Sequence, residues 1–342
     1  MSTFNKQFQA VLTLVFFTLF SVGVTFSQTT TVDEVKDAIS GMELRGIGPA
    51  LMGGRIADIA IDKSDFSTWY IAVGSGGVWK TSNSGITWKP VFDNEASYSI
   101  GTITVDSNNP QTVWVGTGEN VSGRHVAWGD GVYKSTNGGT SWESMGLKKS
   151  EHIGKILVDP RNSDVVLVAA EGPLWSSGGE RGLYRSVDGG KTWNLTLQID
   201  ENTGVTDVEF DPSNPDVLYA AAYQRRRQTW SLLAGGPKSG IYKSIDNGVT
   251  WKQVITGLPK GDVGKIGLAV TPAAPNLVYA TIEANDDEKG FYRSMDKGES
   301  WEKRNSYISG GTGPHYYQEI EVSNTNPDLI YQMDVFYHVS RD

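Results

Sequence analysis

The 342 residues carry 30 Lys and Arg against 39 Asp and Glu, four His and no Cys. The lack of cysteine excludes disulfides, thiol catalysis and thiolate metal ligation, and a net charge of −9 argues against the basic footprint that nucleic acid or anionic lipid requires. Forty glycines beside 11 Trp, 14 Tyr and 11 Phe suit an all-β chain with many tight turns, because glycine supplies positive φ and aromatics fill pleated surfaces.

Residues 1–27 hold one positive charge, Lys6, no acidic residue, and an apolar run from Ala10 to Val24 that ends in Thr25-Phe26-Ser27. This pattern reads as a secretory signal peptide, since the run is short for a membrane span of ~20 residues and small residues stand where a cleavage site needs them. An uncleaved anchor is the alternative. The expectation is an exported protein, secreted, periplasmic or on the cell surface, with no stable membrane span after cleavage. Residues 28–45 then form a lead-in and residues 46–342 a repeat array.

The array is written in one motif, [ST]-x-[DN]-x-G-x-[TS]-W. It runs from Thr81 to Trp88, Ser135 to Trp142, Ser186 to Trp193, Ser244 to Trp251 and Ser294 to Trp301, with starts 50–58 residues apart. Before each copy stands Gly-apolar-aromatic-base, as in Gly131-Val132-Tyr133-Lys134 and Gly240-Ile241-Tyr242-Lys243. A second motif keeps the same beat: an apolar run, an Asp-Pro type turn, then a β-rich run, as in Phe210-Asp211-Pro212 leading to Val217-Leu218-Tyr219. Each period therefore predicts four short antiparallel strands. A unit of that size buries its faces only against its own copies, which describes the blade of a β-propeller. Strand A precedes the Asp-Pro turn, B follows it, C is the Gly-apolar-aromatic-base segment and D begins at the motif Trp. About six blades are visible. The last one breaks off, because Ser340-Arg341-Asp342 reads as the opening of a sixth motif, and the expectation is that this chain is a piece of a longer one.

The motif resembles the Asp-box, or bacterial neuraminidase repeat, found in sialidases, sortilin-type receptor ectodomains and xyloglucan-specific glycosidases. The regular spacing most resembles the sortilin-like and xyloglucanase-like group. Within the box, Asp accepts hydrogen bonds from later backbone N–H groups, Gly takes positive φ and Trp covers the hairpin. Asn83 and Asn137 keep the acceptor oxygen without the charge. Asp188, Asp246 and Asp296 lack the alternating ligands of a calcium loop, so neither metal nor other cofactor is expected.

Strand order sorts the loops. A–B and C–D turns share one face, and the B–C and D–A connections share the other, where longer insertions gather. The second-blade insertion offers Glu119, Arg124, His125, Trp128 and Asp130. The third offers Glu171, Trp175, Glu180 and Arg181, the fourth Tyr223, Arg225 and Trp230, and the D–A loop before the sixth blade His315 and Tyr316. Aromatic rings beside Arg and carboxylates suit a glycan or a polypeptide, by stacking and directional hydrogen bonds. Each residue also has a purely structural reading, as a cap on the channel or part of a solvated run.

Glycoside hydrolysis is the alternative function and needs two carboxylates flanking the scissile bond. The xyloglucanase resemblance implies a catalytic Asp in a segment like T-D-I-G-G-A-Y-R. The matching stretch here is Val73-Gly74-Ser75-Gly76-Gly77-Val78-Trp79-Lys80, with Gly74 at the Asp position, so that activity does not carry over. The sialidase Arg-Ile-Pro segment is matched only by Arg55-Ile56-Ala57. A third reading is an architectural module of a large surface protein.

Overall fold

The computed structural model describes residues 32–41, 54–123, 126–308, 319–333 and 336–341. The chain divides into two units, residues 1–51 and 52–342. In the first unit the described part is one helix, α1 (Val32–Ile39), with Asp33 and Glu34 in its first turn. The signal-peptide reading of residues 1–27 lies outside the described residues.

The second unit is all-β. Blade 1 is the antiparallel sheet β1 (Ile56–Ile61), β2 (Trp69–Val73), β3 (Gly77–Thr81) and β4 (Lys89–Pro90). Blade 2 comprises β5 (Ile100–Val105), β6 (Val113–Thr117), β7 (Val132–Ser135) and β8 (Glu143–Ser144). Blade 3 comprises β9 (Ile153–Asp159), β10 (Asn162–Ala170), β11 (Gly182–Ser186) and β12 (Asn194–Leu197). Blade 4 has β13 (Thr203–Asp211), β14 (Asn214–Arg227), an added β15 (Leu232–Ala234), then β16 (Gly240–Ser244) and β17 (Lys252–Val254). Blade 5 has β18 (Ile266–Val270), β19 (Val278–Ile282), β20 (Gly290–Ser294) and β21 (Glu302–Asn305). Blade 6 shows β22 (Glu319–Val322), β23 (Ile330–Met333) and β24 (Tyr337–Ser340). The order within every sheet is the predicted A-B-C-D, and the sixth has three strands among the described residues.

The core lies between blades. Ala60, Tyr70 and Ala72 of blade 1 meet Ile103, Val113 and Val115 of blade 2, and comparable apolar clusters stand at the next four junctions. Each fully buried aliphatic or aromatic side chain contributes about 1.5–3 kcal/mol, so a blade is stable only with neighbours.

The five box turns are built alike. In the third, Asp188 Oδ1 accepts Thr192 N–H at 2.9 Å and the Ser186 hydroxyl at 2.7 Å, while Ser186 Oγ accepts Gly190 N–H at 2.8 Å. The Thr192 hydroxyl and N–H and then the Ser186 hydroxyl draw the Asp188 carboxyl down to about 2. Asn137 makes the equivalent bond to Ser141 N–H at 3.0 Å, which is why Asn serves there. Gly190 has φ 90°, a conformation few side chains tolerate.

Candidate functional site

The innermost strands β1, β5, β9, β13, β18 and β22 together line a narrow polar channel. Asp58 Oδ2 accepts Ile103 N–H at 2.9 Å and the Thr102 hydroxyl at 2.8 Å, linking blade 1 to blade 2. Asp207 does the same between blades 4 and 5, accepting Leu268 N–H at 2.9 Å. Lys155 lies 3.0 Å from Glu209, and Lys265 donates to Asn120 O at 2.9 Å. Burial outweighs these lysines and pushes the carboxyls of Glu209 and Glu319 up to about 7.

Above the channel the insertions of blades 2, 3 and 4 are tied into one layer. The strand β14 runs past its blade and pairs with β15, Arg225 opposite Ala234 and Arg227 opposite Leu232, so the insertion is a hairpin. Strand alternation turns Arg225 and Arg227 inward. Arg225 pairs with Glu171 of blade 3 at 2.8 Å, both side chains 1% exposed, and also donates to Val121 O at 3.1 Å and Gly172 O at 3.3 Å. Arg227 Nε donates to Ser122 O at 2.9 Å, and its N–H to Leu174 O at 2.8 Å. Two arginines of one hairpin thus hold three loops in register.

A second ion pair, half-buried on its arginine side, stands in the same layer. The Arg55 guanidinium forks onto both oxygens of buried Glu119. Gly74 makes room for this carboxylate, since a Cβ at Gly74 would fall 2.6 Å from Glu119 Cδ. The His152 ring is buried, and its Nδ1 lies 2.8 Å from Glu119 O. A carbonyl only accepts, so Nδ1 carries the proton. Burial, followed by the nearby Arg225 charge, presses the His152 ring down to about 3 and keeps it neutral.

The sequence-derived residues therefore fall into three groups. Glu119, Arg181, Tyr223 and Arg225 are buried under the face and engaged with the protein itself. Arg181 fills its guanidinium with backbone carbonyls, among them Gly178 O and Glu171 O at 2.8 and 2.9 Å. Trp128, Trp175 and Trp230 are 67%, 42% and 82% exposed, one on each of three consecutive insertions. Asp130 and Glu180 are half-buried, Asp130 with Tyr133 OH donating to it at 2.6 Å and Glu180 accepting Lys149 N–H at 2.7 Å. Arg124, His125, His315 and Tyr316 lie outside the described residues. Among the described residues no group of three or more His, Asp or Glu is placed to hold a metal ion, and no helix is long and apolar enough to cross a membrane.

Sequence reasoning passed over Glu151. It lies in the connection from β8 to β9, with φ 58°, and its carbonyl accepts Gly129 N–H at 2.7 Å beside Trp128. Burial raises its carboxyl against the opposing charges of Arg181 and Arg225. Non-glycine residues held at positive φ gather at functional loops, but nothing in Ser150-Glu151-His152 as a string marks that conformation.

A family model for the BNR/Asp-box repeat matches residues 184–195, the third box. The chain is similar to xyloglucanase Xgh74A of Acetivibrio thermocellus, 24% identical over 310 residues that cover 81% of this chain and 35% of that protein. It is also similar to a xyloglucanase of Hypocrea jecorina, 23% identical over 67% of this chain and 29% of the other. The chain spans about a third of the length of these curated relatives. Among solved structures it resembles the GH74 xyloglucanase from Xanthomonas campestris, with TM-score 0.58, 18% identity, and 85% of this chain against 44% of the other. It resembles YCF48 bound to D1 peptide as well, with TM-score 0.53, 16% identity, and coverage of 85% and 80%. At these identities the structural likeness shows the fold. The chain is a six-bladed β-propeller that carries Asp-box repeats, and it is similar in sequence to xyloglucanases.

Proposed function

We propose that this chain binds an uncharged polysaccharide across the face formed by its B–C insertions, stacking sugar rings on Trp128, Trp175 and Trp230. The observation that carries this reading is the exposure of three large indoles on three consecutive loops, over loops fixed by the Arg225–Glu171 pair. Water-exposed aromatic surface on a rigid frame is what a sugar ring covers, and a preorganised frame loses little entropy on binding. The connections of this face carry acidic and basic residues side by side, Glu151, Glu201 and Asp262 with Lys148, Lys149 and Lys260, so no single sign of charge marks it for a polyion. The similarity to xyloglucanases supports a carbohydrate over a polypeptide. In this reading Glu119, Arg181, Tyr223 and Arg225 position the loops, residues 1–27 direct export, residues 28–45 are a lead-in and the propeller begins near residue 46.

Hydrolysis is the second reading, favoured by those relatives and by Glu151, whose raised carboxyl suits a proton donor. Glu119 and Glu171 are committed to arginines, which leaves Asp130 and Glu180 as the carboxylates of the insertions that could act with Glu151. Titration calorimetry with xyloglucan, paired with reducing-sugar release, tests both readings. Saturable heat is expected, lost in Trp128→Ala/Trp230→Ala with the melting temperature unchanged. Absence of binding to xyloglucan and other neutral glucans contradicts the proposal, and sugar release abolished by Glu151→Gln favours the hydrolase.

A further inference from the structure

The second-blade segment Glu119-Asn120-Val121-Ser122 is held at the channel by every other blade. Blade 1 supplies Arg55 to the Glu119 carboxylate, and blade 3 supplies His152 to Glu119 O at 2.8 Å. Blade 4 sends Arg225 to Val121 O at 3.1 Å and Arg227 to Ser122 O at 2.9 Å. Blade 5 sends Lys265 to Asn120 O at 2.9 Å, and in blade 6 Glu319 Oε1 accepts from Asn120 Nδ2 at 3.3 Å. Within blade 2, Ser99 Oγ accepts Glu119 N–H at 3.1 Å. Arg55, Ser99, His152 and Lys265 each immediately precede the innermost strand of their blade, so one repeated position of the fold converges on one segment.

The contact between Asn120 and Glu319 is only half made. Asn120 lines the channel and is 6% exposed, and its Oδ1 is buried with no hydrogen-bond partner among the described residues. An ionised carboxylate only accepts, and so leaves that oxygen unpaired; a neutral carboxyl accepts at one oxygen and donates from the other. The charges around Glu319 favour the neutral form. Asp58 faces the channel from β1, Asp207 and Glu209 from β13, and Glu321 from the same strand as Glu319, against Lys155 of β9 and Lys265 before β18. Glu283 accepts the Lys265 N–H at 3.3 Å, while β5, β18 and β23 carry no charged residue. Burial, opposed by Lys265 and reinforced by Asp58, raises the Glu319 carboxyl to about 7.

We propose that Glu319 holds a proton that it donates to Asn120 Oδ1 while accepting from Asn120 Nδ2, and that this two-bond pair latches the second-blade insertion onto the sixth blade. Loss of the proton removes one bond and adds a negative charge to a channel where carboxylates already outnumber lysines. The folded carboxyl binds its proton more tightly than the unfolded one, whose ordinary value is 4.5. The latch is therefore at full strength below that value and is lost as pH rises through about 7. The insertion it holds is the one that carries Trp128.

The test compares the full chain with its Glu319→Gln variant. A Gln amide donates to Asn120 Oδ1 and accepts from Nδ2 at any pH, so it keeps both bonds without titrating. The wild type is expected to melt at a lower temperature at about pH 8 than at about pH 5, whereas the variant loses less and is the more stable of the two at the higher pH. Hydrogen exchange over residues 118–123, relative to the intrinsic rate, is expected to quicken at least about tenfold in the wild type across that interval and to stay level in the variant. The infrared carbonyl band of a neutral carboxyl is expected in the wild type near neutral pH, and Glu319→Gln diminishes it. Parallel pH profiles for the two proteins overturn the proposal. So does a variant that fails to fold or is less stable than the wild type at both pH values, or a neutral-carboxyl band that the substitution leaves unchanged.

Discussion

Arg225, Arg226 and Arg227 are adjacent in sequence and differ in structure, because a strand alternates its side chains. Arg225 is sealed against Glu171, with both carboxylate and guanidinium out of reach of water. Removing one partner of such a pair leaves a buried charge uncompensated, which costs about 3–5 kcal/mol. Arg225→Ala is therefore expected to lower the urea midpoint strongly, whereas Arg226→Ala, on the other side of the strand, lowers it by roughly 1 kcal/mol equivalent or less. Equal losses contradict the alternation. The residue types at the site were legible in the sequence, but their partners were not. Glu171 and Arg225 meet only once two blades have stacked, and Gly74 yields its space to Glu119 from the neighbouring blade. No local spacing encodes either contact.

At the scale of the element, the box turn and the fourth-blade insertion contrast. The box was readable because its chemistry is local: an acceptor at its third position, a hydroxyl at its first and a left-handed residue at its fifth all act within eight residues. Position five faces two demands in the third box. Gly190 has φ 90°, and a Cβ there would lie 2.6 Å from the Trp114 ring. Gly178 has φ 74° with nothing within 4 Å. Gly190→Ala is expected to cost about 2–4 kcal/mol, from strain plus overpacking, and Gly178→Ala about 1 kcal/mol from strain alone. Thermal melts of both variants check the order, and a reversal would show that the box glycine answers to backbone conformation only. The insertion after β14 was less legible. Its length and its Trp230 were visible, but its continuation as a paired hairpin was not, since Gln228-Thr229-Trp230-Ser231 lacks the Asn-Gly or Asp-Gly signal of a two-residue turn.

For the propeller as a whole, the antiparallel order of each sheet divides the loops between two faces, and function follows from that division. The box face is spent on joining blades, with its Trp rings turned onto their neighbours. The insertion face holds its loops with buried charge and leaves indoles in water. Hydroxyl-radical footprinting of the tryptophans, with and without xyloglucan, tests this assignment most directly. Protection is expected at Trp128, Trp175 and Trp230, with Trp88, Trp142, Trp193 and Trp251 unchanged. Protection of the box tryptophans, or of none, would contradict it.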